Sequence, residues 1–138
     1  MPIAYKIYGS HKLCYSVWTG NISPDEVLSF QRNMYQDSKW KPGFNEIVDV
    51  RNLVLESINM DDLFKLSKVA GDYTHGKNHP FKTAVVVDNL FIEGLAETYK
   101  ALLSAPDTLE ELKVFFQLKD AFDWLGIDQN TDISLPSN

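Results

Sequence analysis

Polar residues that could bind a ligand mark the ends of two predicted central strands in this chain of 138 residues. Asp49 and Arg51 lie at the end of one strand, and Asp88 and Asn89 end the adjoining strand. Open α/β sheets bind ligands at the carboxyl ends of their strands, so these four residues form the candidate site. In the alternative interpretation, Asp49 caps a turn and Arg51 pairs with it or with a nearby acid, while Asp88 and Asn89 are turn and helix-cap residues.

The histidines and the single cysteine predict neither a metal site nor a nucleophile. His75 and His79 have a spacing that could suit zinc on a helix, but Gly76 and Pro80 indicate an exposed loop, and no cysteine or third histidine is near. Cys14 has no histidine partner implied by the sequence, and as a predicted strand residue it is expected to be a small buried apolar group. No catalytic residue, metal or cofactor is therefore expected.

The composition predicts one globular domain that does not bind nucleic acid. Hydrophobic residues make up 44% and charged residues 23% of the chain, and the formal net charge is -6, without the Lys/Arg clusters that duplex binding needs. The longest apolar runs are far shorter than the ~20 residues of a membrane-spanning helix. The single cysteine, and a start from Met1 to Gly9 with neither a basic leader nor a long apolar core, favour the cytoplasm.

Short runs rich in Val and Ile alternate with longer stretches whose apolar residues recur at helical spacing. This pattern indicates an α/β domain with a mostly parallel sheet of about five strands in the order ββαβαβαβα. The first helix begins at a capping box, Ser23 to Glu26, and the second at Asn59, with Asp62 three residues on. The predicted strands are Ala4–Tyr8, Leu13–Thr19, Glu46–Val50, Thr83–Val87 and Lys113–Gln117, and the last two helices are Leu90–Leu103 and Ala121–Gly126.

The large aromatic side chains are expected to pack in the core. They fall on predicted inward faces or in a strand, and an apolar ligand pocket built from some of them is the alternative. The residues concerned are Phe64, Phe91, Phe115, Phe116 and Trp124.

Two further features concern the third helix and the end of the chain. Gly94 lies inside the third predicted helix, where close packing onto a neighbour would explain it. The domain is predicted to span residues 1–127, and residues 128–138 form a polar tail. Ile133 and Leu135 alternate with polar residues there, which suits an added edge strand or an arm laid on a second subunit, with a crystal contact as the alternative.

Motifs follow one another in a distinctive order from Leu13 to Leu125. After the hairpin and the capped helix they are Lys41-Pro42-Gly43, Ile47-Val48-Asp49-Val50-Arg51, Ala84-Val85-Val86-Val87, Gly94-Leu95-Ala96 with Tyr99, Val114-Phe115, and Ala121-Phe122-Asp123-Trp124-Leu125. This series resembles the bacterial STAS-like domains grouped with sporulation-type anti-sigma-factor antagonists. The resemblance implies a single STAS-like domain with helices packed mainly on one sheet face, distantly related to the lipid-binding CRAL-TRIO domains.

The resemblance also implies a candidate phosphorylation site. The antagonists carry a regulated serine in an Asp-Ser-Ser-Gly stretch at the start of the second crossover helix, and the matching place here reads Glu56-Ser57-Ile58-Asn59. Ser57 aligns with a serine of the motif, and Glu56 stands for the acid. A phosphate on Ser57 would add about -1.5 to -2 charges where the helix dipole favours them. The alternative is a loop or cap hydroxyl.

Two functions of different kinds follow from these expectations. We favour a non-catalytic interaction or regulatory module, homodimeric through the tail or an exposed strand, that recognises a protein partner around Ser57 and the second helix. The alternative is a small carrier for a lipid or other apolar molecule, with a cavity of roughly several hundred Å³ between sheet and helices. A third possibility, an acid–base enzyme using Asp49 or Glu56, needs a carboxylate of raised pKa in a cleft and a second polar group within reach.

Overall fold

Strands and helices alternate along the chain in the predicted order, ββαβαβαβα. The computed structural model describes residues 2–54, 59–74, 79–103, 109–128 and 133. The strands are β1 (Ile3–Tyr8), β2 (Leu13–Asn21), β3 (Asn45–Val54), β4 (Phe81–Val86) and β5 (Glu110–Phe115). The helices are α1 (Pro24–Gln36), α2 (Met60–Thr74), α3 (Leu90–Leu102) and α4 (Leu118–Leu125). Within these described ranges, no helix is both long and apolar enough to cross a membrane.

The strands form one mixed sheet whose spatial order is their order in the chain, β1-β2-β3-β4-β5. β1 and β2 pair antiparallel as the predicted hairpin, whereas β2, β3, β4 and β5 all run parallel. Parallel neighbours need a crossover, and α1, α2 and α3 each lie between successive parallel strands in the chain. The Val-rich strand β4 is therefore bordered by parallel strands on both sides, as its unbroken apolar sequence predicts.

Side-chain caps fix where the first two crossover helices begin. Ser23 and Glu26 form a reciprocal capping box, in which the Glu26 amide donates to Ser23 Oγ at 3.2 Å and the Ser23 amide donates to Glu26 Oε1 at 3.1 Å. Asn59 and Asp62 make the same exchange, with both hydrogen bonds at 3.0 Å. Both starts are as the sequence predicts.

The sheet separates two apolar layers. One face packs against α1, α2 and α3, and the other packs against α4, so the helices lie mainly on one face as expected. Side chains alternate between the faces along each strand. In β3, Val48 and Val50 turn towards α1–α3, and Ile47 turns towards α4. Ile133 also packs on the α4 side, and the rest of the predicted tail after Asp128 lies outside the described residues.

β3 and β5 differ most from their predicted bounds, whereas β1, β2 and β4 agree with theirs to within two residues, and α4 begins at Leu118 rather than Ala121. β3 continues past the predicted end at Val50 to Val54, because it stays paired with β2 as far as the partners Asn21 and Val54. β5 begins at Glu110 rather than Lys113, because its first residues pair with β4. Pairing with a neighbouring strand overrides the weak strand propensity of such polar stretches.

Two predictions about packing are wrong. Phe64 and Phe91 were expected in the core, but 61% and 63% of their surfaces are exposed. Phe64 and Phe91 lie near the starts of their helices, α2 and α3. Phe116 was likewise expected in the core, but it follows directly after the end of β5 and is 43% exposed. Gly94 was expected to pack closely against a neighbour, but a Cβ built there meets nothing within 4 Å.

Replacing Gly94 with alanine should therefore stabilise the protein. We expect the free energy of unfolding to rise by about 0.5–1 kcal/mol, because glycine in a helix interior costs conformational entropy that alanine does not. Urea unfolding followed by circular dichroism measures the change. Gly126→Ala is the control: that site is equally open, but its φ of +72° should make alanine destabilising. A loss of stability in Gly94→Ala would show that α3 is constrained in some other way.

Candidate functional site

Asp49 and Arg51, the first predicted pair, bind each other. Arg51 Nε donates to Asp49 Oδ1 at 3.0 Å, and Nη2 donates to Oδ2 at 2.8 Å. The Arg51 backbone amide also donates to Asp49 Oδ1, at 3.1 Å. The Asp49 side chain is 7% exposed and that of Arg51 37%, and the hydrogen bond to Asp49 raises the pKa of the guanidinium. This geometry agrees with the alternative interpretation of the sequence, in which Arg51 forms an ion pair with Asp49.

Asp88 and Asn89, the second predicted pair, are exposed just beyond β4. Asn89 Oδ1 accepts from the Ile92 amide at 2.9 Å, so Asn89 is the N-cap of α3. Its Nδ2 donates to Asp88 Oδ1 at 3.0 Å, and the charge of Asp88 contributes to the raised pKa of Arg51. Asp49, Arg51 and Asp88 thus share one edge of the sheet, where they remain a predicted site.

The other sequence candidates give less information. Glu56 and Ser57 lie outside the described residues, so phosphorylation of Ser57 stays a prediction, and His75 is outside them too. His79 is described and exposed. In the described part of the chain, no three His, Cys, Asp or Glu residues are placed to hold a metal ion.

A cavity of about 130 Å³ lies between the sheet and α1–α3, where the carrier alternative places one, but it is smaller than the several hundred Å³ expected of such a carrier. We call it the inter-layer cavity. Most of its lining is aliphatic or aromatic and comes from β2–β5 and from all three helices. The indole N–H of the lining residue Trp18 donates to Ser16 Oγ at 3.0 Å. Six further lining residues carry polar groups, and we call them the polar wall: Gln31, Tyr35, Glu46, Thr83, Tyr99 and Glu110.

Strand register builds half of the polar wall. Glu46 on β3 is the register partner of Thr83 on β4, and Glu110 on β5 is the partner of Phe81, two residues before Thr83. Parallel strands in register place such residues side by side on one face. Glu46, Thr83 and Glu110 therefore project from three adjacent strands into the layer between sheet and helices.

Two helices build the other half of the polar wall. Gln31 and Tyr35 lie four residues apart on α1 and so share one face of that helix. The Tyr35 hydroxyl donates to Glu46 Oε2 at 3.4 Å, and its ring stacks on that of Tyr73 with centroids 5.0 Å apart. From α3, Tyr99 lines the cavity near Gln31, whose side chain offsets part of the rise that burial causes in the Tyr99 pKa.

Three polar-wall atoms have no hydrogen-bond partner among the described residues: Gln31 Oε1, Thr83 Oγ1 and Glu110 Oε1. All three are buried, and Thr83 as a whole is only 3% exposed. Each can accept a hydrogen bond, and the threonine hydroxyl can also donate. Buried polar atoms of this kind are uncommon and call for an explanation such as a bound group.

Burial shifts the ionisation of the two carboxyl groups. Desolvation raises the pKa of Glu46 to about 8, helped by the charge of Glu110 and opposed by the Tyr35 hydrogen bond. Desolvation also raises the pKa of Glu110 to about 7. The nearby Thr83 hydroxyl offsets part of this rise in the Glu110 pKa, although Thr83 Oγ1 makes no hydrogen bond to a described residue. Near neutral pH the folded protein therefore holds protons on this pair.

Sequence reasoning missed the polar wall because it read Glu46 only as part of a strand and left Glu110 outside every element. One signal could have found Glu46. It stands two and four residues before Val48 and Val50, which share its face of β3, so a charged residue occupies a core-facing position. Glutamate is almost never fully buried without a partner, which makes such a position a candidate site.

Comparison with known proteins found no matching family model and no matching curated protein. A similar solved structure is the crystal structure of an uncharacterized protein of the DUF3478 family, with a SpoIIAA-like fold, from Shewanella loihica PV-4. The two chains are 19% identical, with a TM-score of 0.59, over 89% of this chain and 93% of that one. This likeness confirms the predicted STAS-like fold.

Raising the pH from about 5 to about 8 should lower the free energy of unfolding. The folded state keeps protons on Glu46 and Glu110 up to pKa values of about 8 and 7, whereas the unfolded chain releases them near 4.5. Stability from this source is complete below the unfolded pKa and is lost as pH rises through the folded values, on the order of a few kcal/mol. Urea unfolding at pH 5, 6.5 and 8 measures the slope.

Glutamine variants identify the source of that slope. Glu46→Gln and Glu110→Gln should each flatten it, since glutamine does not titrate. The control is Glu111→Gln, at an exposed neighbour on β5, which should leave the slope as it is. Wild-type stability that is constant across this range would contradict the shifted pKa values.

Proposed function

We propose that this protein is a non-catalytic STAS-like module that binds a small, largely apolar ligand in the inter-layer cavity. One observation carries the proposal: an apolar cavity of about 130 Å³ has a wall with three unsatisfied buried polar atoms. Protein cores contain few voids larger than a water molecule, and their buried polar atoms are nearly always paired. A bound ligand that fills the cavity and reaches the polar wall accounts for both departures.

The size of the cavity favours a ligand of about one ring over a lipid. An engineered apolar cavity of about 150 Å³ in another protein binds benzene, and drug-sized ligands occupy roughly 300–1,000 Å³. The inter-layer cavity, at about 130 Å³, is close in volume to the cavity that binds benzene. The carrier hypothesis is therefore retained for a small molecule rather than for an acyl chain.

The chemistry of the described side chains favours binding over catalysis. Asp49, the acid suggested for an enzyme, has both carboxylate oxygens engaged by Arg51. Cys14 is buried, and desolvation raises the pKa of its thiol, so the nucleophilic thiolate is disfavoured. Glu46 and Glu110 have the raised pKa values that acid–base chemistry would use, so recovery of the ligand unchanged is part of the test.

Filling the cavity should abolish binding. Ala96 on α3 lines the cavity, so Ala96→Leu would occupy space that the ligand needs. Ala101→Leu, at an exposed site on the same helix, is the matched control. With toluene as the probe, NMR of side-chain methyl groups should show shifts at Leu63 and Ile92 in wild type and in the control, but not in Ala96→Leu. Toluene should be recovered unchanged by mass spectrometry, and wild-type spectra that respond neither to toluene nor to benzyl alcohol, benzoate or benzylamine would refute the proposal.

A regulatory role through self-association is a second candidate, because large apolar side chains are exposed where β3 and β5 end and α2 and α3 begin. We call this the apolar edge. An exposed set of this kind commonly marks an interaction surface, and a second copy of this chain is the partner we propose, in the cytoplasm. The residues of the apolar edge are Val54, Met60, Phe64, Leu90, Phe91 and Phe116.

Replacing two aromatic residues of the apolar edge should dissociate the dimer. The double variant Phe64→Ser with Phe91→Ser removes the largest exposed rings, and light scattering after size exclusion should report a monomer. Glu97→Ser, at an exposed position further along α3, is the control and should remain dimeric. A wild-type protein that is monomeric at every concentration would exclude self-association and leave ligand binding as the only proposed function.

A further inference from the structure

We propose that the ligand of the inter-layer cavity is a small apolar amine in its protonated form, with the ammonium group donating to Gln31, Thr83 and Glu110, and with Glu46 as a second counter-charge. This inference rests on the proposed ligand-binding function and specifies the chemical class of the ligand. It follows from the hydrogen-bonding character, the charge and the shape of the polar wall.

The unsatisfied atoms of the polar wall need donors. Gln31 Oε1 can only accept a hydrogen bond, and so can Glu110 Oε1 once its carboxyl group is ionised. Thr83 Oγ1 can accept as well, and this residue is 3% exposed, so bulk water does not satisfy it. An ammonium group has three donors and no acceptor, which matches a wall with three unsatisfied oxygen atoms.

The charge of the wall also needs a cation. Glu46 and Glu110 line one cavity, yet no Lys, Arg or His belongs to the described residues around it. A buried carboxylate is costly unless it is paired, and the pair here stays protonated at neutral pH for that reason. A bound ammonium would supply the missing counter-charge and let the carboxyl groups ionise.

The other groups that face the carboxyl pair do not supply this charge. Tyr35 on α1 and Tyr99 on α3 have pKa values raised well above normal by burial, so both stay neutral. Cys14 on β2 is likewise neutral, since burial and then the charge of Glu46 raise its pKa. The α2 residues that line the cavity, Leu63 and Leu66, are apolar. A carboxylate ligand would add a third acidic group beside Glu46 and Glu110 with no cation among the described lining residues, and an alcohol would bring a single donor.

The rest of the cavity selects the body of the ligand. Opposite the polar wall the lining is aliphatic and aromatic, and the rings of Trp18 and Phe30 meet edge to face with centroids 5.6 Å apart. Burying apolar ligand surface against this lining favours binding. A single ring or a short branched chain that carries one amine fits both the volume and this division of the lining.

A set of four probes of similar size tests the inference on the intact wild-type chain. The probes are benzylamine, benzyl alcohol, benzoate and toluene, and binding is measured by calorimetry and NMR at pH 6, 7 and 8. We expect benzylamine to bind at least tenfold more tightly than benzyl alcohol, and benzoate not to bind. Its affinity should rise with pH, because the free carboxyl groups lose their protons over this range while an alkylammonium keeps its own.

Glutamine variants then locate the ammonium group. Glu46→Gln and Glu110→Gln should each weaken benzylamine at least tenfold and change toluene affinity less than threefold, and toluene binding verifies that each variant is folded. Glu111→Gln should change neither. If toluene binds and benzylamine is no better than benzyl alcohol, or its affinity falls with pH, the amine inference is overturned and ligand binding stands. If none of the four probes binds, the proposed function itself fails.

Discussion

The cost of placing ionised carboxyl groups away from water governs the interior of this protein. Glu46 is 7% exposed, and its neighbour Glu110 buries a carboxylate oxygen in the same layer. An ordinary core would fill these positions with Val or Leu, as the adjacent positions of β3 and β5 do. Retaining two acids instead lowers stability above the pKa of the unfolded chain, which makes sense where the acids serve a bound group. The cavity and the unpaired oxygen atoms beside them support the same interpretation.

The parallel register of the sheet is what brings the acids together. Glu46 and Glu110 are distant in the sequence, and only the in-register pairing of β3, β4 and β5 places them on one face beside Thr83. The capping box fixes the residue at which α1 begins, and so fixes where Gln31 and Tyr35 lie relative to these strand residues. A polar group within an apolar layer thus depends on precise strand alignment, because a shift by one residue would turn each acid to the α4 face.

Local signals predicted the architecture well. The reciprocal caps at Ser23 and Asn59 and the unbroken apolar run of β4 each depend on a few neighbouring residues, so the sequence alone predicts them. The exposure of Phe64 and Phe91 could not be read in this way, because helical spacing shows which residues share a face but not where the sheet beneath ends. The open surroundings of Gly94 were likewise a property of its neighbours in space.

The candidate site was the hardest part to predict, for a related reason. Asp49 and Arg51 are two residues apart, so their ion pair was among the alternatives that the sequence offered. Glu46 and Glu110 belong to different strands, and a single sequence gives no register for joining them. The carboxyl ends of strands attract attention because ligands often bind there, whereas the strand residues of the polar wall lie at the amino-terminal starts of β3, β4 and β5.

The ion pair between Asp49 and Arg51 has a consequence for solubility. Register pairing of β3 with β4 stops at Asp49, while β3 continues beside β2 to Val54, so the last residues of β3 have a partner strand on one side only. Such an open strand margin can recruit a strand from another molecule and start aggregation. Asp49 accepts a hydrogen bond from the Arg51 backbone amide, so this amide is not available to another strand. The bulky, charged Arg51 guanidinium binds the same carboxylate. An engaged amide and a charge at this margin both oppose the addition of a further strand.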